Sequence, residues 1–166
     1  MTFDASPGLD PAPLNDLKDC VTVSVCDLTG VERFVVWAVR WTASVHDEPQ
    51  FARECLEESF ERAGLAGVLP VFRTYVRSVH GEPTPCPPAA RLGCWRLNAT
   101  EAHTLHALAC LQADRFGDAW RALVAVCRRF DAARAMLALG EVADALTAID
   151  GRVRPWNDMS LIEGRG

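Results

Sequence analysis

Several common features are scarce in this chain, and each scarcity narrows the class of protein. Its 166 residues include 17 basic and 22 acidic side chains, which give a net charge of −5. This acidic balance argues against non-specific binding to nucleic acid or to an anionic membrane surface. No uncharged apolar run approaches the ~20 residues that a membrane-spanning helix needs. We therefore expect a soluble protein that has neither nucleic acid nor a membrane as its partner.

Features of secreted proteins are also missing. The N-terminal stretch 1–19 is acidic and proline-rich, and it lacks the basic and apolar regions of a secretory signal peptide. A cytoplasmic location is the resulting expectation. The chain has seven cysteines, an odd number that fits a closed disulfide framework poorly. In the cytoplasm we expect these cysteines to be reduced thiols.

Recognisable catalytic signatures are absent from the sequence. It has no Ser-His-Asp arrangement, no Gly-rich phosphate loop and no dinucleotide-binding fingerprint. Glu54, Glu57, Glu58 and Glu61 resemble paired carboxylates, but a di-iron bundle would also need Glu-x-x-His motifs. We interpret these glutamates as a solvated helix face, and the sequence favours a non-enzymatic protein.

Helical periodicity is what the sequence contains in abundance. The composition is that of an ordinary globular protein, and the length fits one domain. We predict an all-α fold, a compact bundle of about six helices, from the i, i+3, i+4 spacing of apolar residues. The helical domain is expected over 29–150, between a flexible N-terminal arm (1–28) and a loose C-terminal tail (151–166). Within the arm, the β-like run 21–25 indicates one extended stretch that could be held against the body. The first predicted helix begins at Thr29. The other five cover 49–63, 67–80, 99–113, 118–130 and 131–149.

The first predicted helix has an unusually wide apolar stripe. It opens with a capping box, Thr29-Gly-Val-Glu32. With Val36, Trp37 and Val39, the stripe extends around almost the whole circumference of the helix. Such a helix either lies at the centre of the core or uses a second face to contact a partner. We predict an interaction surface for a protein partner or a second copy at these three residues. The positions expected to face water are Glu32, Arg33, Arg40 and Ser44.

The fourth and fifth predicted helices have more ordinary patterns. Asn98-Ala-Thr-Glu101 is a second capping box, which predicts the start of the fourth helix. On the fifth helix, the apolar positions are expected to pack into the core. These positions are Trp120, Leu123, Val124, Cys127 and Phe130.

A proline-rich loop with two cysteines, residues 82–97, separates the third and fourth predicted helices. Structureless loops of this length are often functional. The loop cysteines, together with three residues of the next helix that share an arc of about 60°, could supply the four N or S ligands that zinc prefers. The candidate metal ligands are Cys86, Cys94, His103, His106 and Cys110.

Other interpretations of these residues remain open. Cys110 is compatible with a small core residue, with the two histidines flanking the core, because free cysteine is among the most buried residue types. Cys94 lies near Arg91 and Arg96, which would favour the reactive thiolate, and Cys86 could then serve as its resolving partner. The loop therefore predicts either a zinc site, a thiol sensor or a structural plug.

The stretch from Val31 to about Leu146 resembles a family of small uncharacterised α-proteobacterial proteins, a domain of unknown function. The resemblance is carried by the helix Arg33-Phe-Val-Val-Trp-Ala-Val-Arg40, by Cys86-Pro87, by Cys94-x-Arg96-Leu-x-x-x-Glu101 and by a final paired-helix region. The resemblance implies an all-α fold. It implies no reaction and no site residues.

Three functional hypotheses follow from the sequence. The first is a non-enzymatic helical protein without a cofactor that acts by protein–protein interaction or oligomerisation. The second is a metal-binding or thiol-based regulator that uses zinc or the loop cysteines. The third is an enzyme whose site lies beneath the loop 82–97, which would require a concave pocket with convergent polar groups.

Overall fold

The computed structural model describes residues 20–44, 50–80, 95–127 and 129–155, and within these ranges it forms six α-helices, one pair of short strands and two short 3-10 helices, Val25–Asp27 and Ala66–Val68. The predicted all-α fold is confirmed, with the small sheet as an addition. The elements are β1 (Cys20–Ser24), α1 (Gly30–Ser44), α2 (Gln50–Arg62), α3 (Leu69–His80), β2 (Arg96–Asn98), α4 (Ala99–Leu111), α5 (Phe116–Val126) and α6 (Arg129–Ala148).

Helix α4 forms the centre of the bundle. Every side chain from Glu101 to Leu111 is buried, and the helix packs against α1, α5 and α6. A helix that is apolar around most of its circumference needs such an enclosed position. The Ala- and Leu-rich sequence of α4 supplies the small and compact side chains that allow neighbours to pack on all its sides.

Aromatic side chains join α1, α2 and α3 on one side of α4. The Phe60 ring of α2 lies 5.1 Å from the Phe34 ring of α1 and 5.3 Å from the Phe72 ring of α3, measured between centroids. The Trp41 indole N–H also donates a hydrogen bond to the Ala52 carbonyl over 3.1 Å. These tilted ring contacts and the hydrogen bond fix α2 against the outer side of α1.

Both predicted capping boxes are present. At the start of α1, the Glu32 amide donates to Thr29 Oγ1 over 3.3 Å, and the Thr29 amide donates to Glu32 Oε2 over 2.8 Å. At the start of α4, the Glu101 amide donates to Asn98 Oδ1 over 2.7 Å, and the Asn98 amide donates to Glu101 Oε2 over 3.1 Å. These reciprocal bonds satisfy backbone donors that a helix start otherwise leaves unpaired.

The small sheet corrects the predicted ends of the N-terminal arm and of the proline-rich loop. β1 pairs antiparallel with β2, with Cys20 opposite Asn98 and Ser24 opposite Arg96. The Val25 amide extends the pairing by donating to the Trp95 carbonyl over 2.7 Å. Residues 20–25 are therefore held against the folded body by backbone hydrogen bonds to the segment before α4, so the folded part begins before the predicted boundary at residue 29.

The segment 151–155 is also anchored, which corrects the predicted start of a loose tail at 151. The Gln112 side chain donates to the Gly151 carbonyl over 2.7 Å and accepts from the Val153 amide over 2.9 Å. Arg154 donates from its backbone amide and from its guanidinium to the Glu32 carboxylate, over 2.7–3.2 Å. The chain beyond α6 thus returns to the start of α1.

Two charged residues of α1 that were expected to face water are buried, so that prediction was wrong for them. Arg40 makes a bidentate ion pair with Glu101, with N–O distances of 2.7 and 2.8 Å, and also donates to the Arg96 carbonyl over 2.8 Å. Glu32 is buried beneath Arg154. Each buried charge is tolerated because a partner of opposite charge and further hydrogen bonds surround it.

Candidate functional site

Three of the five predicted metal ligands lie on the central helix α4. His103, His106 and Cys110 are all buried, and Cys110 Sγ lies 3.4 Å from His106 Nε2, within hydrogen-bonding distance for sulfur. The one-turn spacing of these two residues on a helix places their side chains one above the other. The structure therefore brings two of the five predicted ligands into contact.

The remaining two predicted ligands, Cys86 and Cys94, lie outside the described residues. Within the described part of the chain, no group of three or more His, Cys, Asp or Glu side chains is arranged to hold a metal ion. The zinc site and the thiol sensor of the loop both remain predictions, since each depends on these two cysteines.

The environment of the Cys110 thiol favours its protonated form. Burial raises the pKa of Cys110 above its usual range, with smaller opposing contributions from the positive charges of Arg115 and Arg121. Burial also raises the pKa of Cys127, to about 11. A cysteine nucleophile is activated by a lowered pKa and by exposure to solvent. The pKa of each of these two thiols is raised instead, so neither is an activated nucleophile. Cys110 and His106 together have the character of a buried structural contact.

The interaction surface predicted on the first helix needs correction. Val36 is 2% exposed and Val39 is 1% exposed, so both belong to the chain's own core. Trp37 is half-buried, and its ring lies between those of Phe34 and Trp41, at 6.0 and 5.6 Å. The wide apolar stripe of α1 is explained by its position, since α1 packs against α3 and α4 and is covered by α2 on another side.

An exposed apolar ridge lies instead on the outer side of α5. Phe116 is 58% exposed, Trp120 39% and Val124 41%, and their i, i+4, i+8 spacing aligns them along the helix. We call these three residues the α5 ridge. The prediction that Trp120 and Val124 pack into the core was wrong, because the inner face of α5 is formed by Ala119, Ala122 and Leu123.

Local structure before α5 explains which face the helix buries. α4 ends in a tight turn in which Asp114 has a positive φ of 56° and the Arg115 amide donates to the Cys110 carbonyl over 2.8 Å. This turn folds α5 back along α4. Ala119 and Ala122 have small side chains and allow close helix packing, which places the larger Trp120 outside the contact. The apolar residues of α5 cover a wider part of the helix circumference than the buried inner face does. This width, visible in the sequence, was the signal that could have predicted an exposed apolar ridge.

Two arginines border the α5 ridge. Arg115 precedes Phe116 and Arg121 follows Trp120, and both pair with the Asp118 carboxylate, Arg115 over 3.6 Å. The hydrogen bond from Arg121, together with both positive charges, holds the pKa of Asp118 below its usual range. One carboxylate thus lies between two guanidinium groups, and the rim of the ridge has an excess of positive charge.

The α5 ridge differs from two other exposed apolar side chains among the described residues, Leu137 and Trp95. Leu137 on α6 is 74% exposed, but its neighbours one turn away include the charged Arg134 and Glu141. Trp95 is covered on one face by the Arg96 guanidinium, 4.5 Å from the ring centroid. Scattered apolar side chains are normal at a protein surface, whereas a contiguous group indicates a contact surface.

Comparisons with protein-family models, with curated proteins and with solved structures found no match to this chain. The resemblance to an α-proteobacterial family therefore stays a prediction, and the site is interpreted from its own geometry. Among the described residues, no helix has both the length and the apolar character needed to cross a membrane.

Proposed function

We propose that this chain is a non-enzymatic helical protein that binds another polypeptide through the α5 ridge. The observation that carries the proposal is the alignment of Phe116, Trp120 and Val124 on the exposed side of a helix whose buried face is formed by other residues. Aromatic side chains are enriched in the cores of protein interfaces, and arginine is enriched there as well. The α5 ridge combines an aromatic centre with arginines at its rim.

The energetics support the same interpretation. While Phe116 and Trp120 are in contact with water, the chain does not gain the free energy that burying them would provide, about 25 cal/mol for each Å² of apolar surface. The fully buried residues of α5 are Ala119, Ala122 and Leu123, whereas Phe116 and Trp120 keep 58% and 39% of their surface exposed. A partner that covers the ridge would recover the free energy of burial without any change in the fold.

Site-specific photo-crosslinking tests the proposal directly. A benzophenone amino acid replaces Trp120 in one variant of the full chain and Leu137, the matched exposed position on α6, in another. We expect irradiation in an extract of the source cells or at high protein concentration to give discrete crosslinked products from position 120. Equal labelling from both positions, or no discrete product from position 120, would contradict the proposal.

A metal-binding or thiol-based regulator is the second candidate function. The observation that favours it is the 3.4 Å contact between Cys110 Sγ and His106 Nε2, which provides two donor types that zinc accepts. We expect near-stoichiometric zinc in protein purified without chelator, as measured by plasma mass spectrometry, and its loss in both His106→Ala and Cys94→Ser. Metal-free protein whose Cys86 and Cys94 react freely in a thiol titration would contradict this candidate.

A further inference from the structure

We draw no further inference here: the strongest candidate, the α5 ridge, is an apolar helix face whose bordering Arg115 and Arg121 are both paired with Asp118, and nothing among the described residues shows what covers it.

Discussion

Two glutamates, Glu32 and Glu101, have the same pair of roles at two helix starts. Each completes a capping box, and each also binds an arginine from a distant part of the chain. The capping half of each role was predictable, because the motif is local in sequence. The arginine partners were not, since Arg40 lies 61 residues from Glu101 and Arg154 lies 122 residues from Glu32. Helical periodicity carries no information on such pairs.

Removal of one member of the Arg40–Glu101 pair should strongly destabilise the fold. Arg40→Met leaves the Glu101 carboxylate buried without its cation, and we expect a loss of about 3–5 kcal/mol in the free energy of unfolding. Urea denaturation provides the measurement. Arg62→Met is the control, because Arg62 pairs with Glu58 at the surface, where such a pair contributes about 0.5 kcal/mol or less. Equal effects of the two substitutions would contradict this account of the buried pair.

Glu32 predicts a pH dependence of stability. Burial alone would raise the pKa of Glu32, but hydrogen bonds from the Arg154 side chain and from the Thr29 and Arg154 amides outweigh burial and hold the pKa below its ordinary value of 4.5. A carboxyl with a lowered pKa in the folded state stabilises the fold above its unfolded pKa, and this stabilisation is lost as the pH falls through the lowered value.

We therefore expect the free energy of unfolding to decrease as the pH falls below about 4.5, and Glu32→Gln to make that decrease less steep. At neutral pH the same substitution should cost about 2 kcal/mol, because it removes charged hydrogen bonds. Thermal unfolding of both proteins over a series of pH values checks the prediction. The same dependence of stability on pH at acidic pH in the two proteins would refute the role of Glu32.

At the scale of the elements, helix positions were predictable and helix faces were only partly so. The predicted helices 67–80 and 99–113 correspond closely to α3 and α4, because apolar spacing and capping residues mark helix ends locally. The wide apolar faces of α1 and α5 have similar patterns but opposite outcomes. α1 is covered by α2, α3 and α4, whereas α5 keeps one flank exposed, and only the tertiary arrangement separates the two cases.

The two faces of α5 should respond differently to substitution. Leu123→Ala creates a cavity in the bundle, and we expect a loss of about 2–5 kcal/mol in the free energy of unfolding. Trp120→Ser removes a side chain that keeps 39% of its surface exposed and lies outside the inner face of α5, and we expect a smaller loss, of about 1–2 kcal/mol. Urea denaturation of both variants provides the comparison, and a Trp120→Ser effect as large as that of Leu123→Ala would show that the ridge belongs to the core.

At the scale of the whole molecule, two peripheral segments close the fold. β1 pairs with the segment before α4, and residues 151–155 return to the start of α1. The partner of neither segment could be predicted from the sequence, because both contacts join residues that are far apart in the chain. The run 21–25 did indicate an extended segment, but its partner strand Arg96–Asn98 lies within the stretch that was predicted as a loop.

Gln112 should govern the attachment of the C-terminal segment. Its side chain makes hydrogen bonds to both Gly151 and Val153, so Gln112→Ala should cost about 2 kcal/mol and speed hydrogen exchange at the Val153 amide. Gln50→Ala, at an exposed position on α2, is the control. Unchanged exchange at Val153 in Gln112→Ala would contradict the proposed anchoring.

The central claim is that Trp120 is exposed in the isolated chain and covered by a partner polypeptide. Fluorine NMR of protein labelled with fluorotryptophan measures both states at one position, and Trp120→Phe assigns the resonance. We predict a large solvent isotope shift for Trp120 in dilute protein, and a smaller shift with line broadening when the protein is concentrated or mixed with source-cell extract. The half-buried Trp37 should change little. A Trp120 resonance that is shielded in dilute protein, or that no condition alters, would contradict the account.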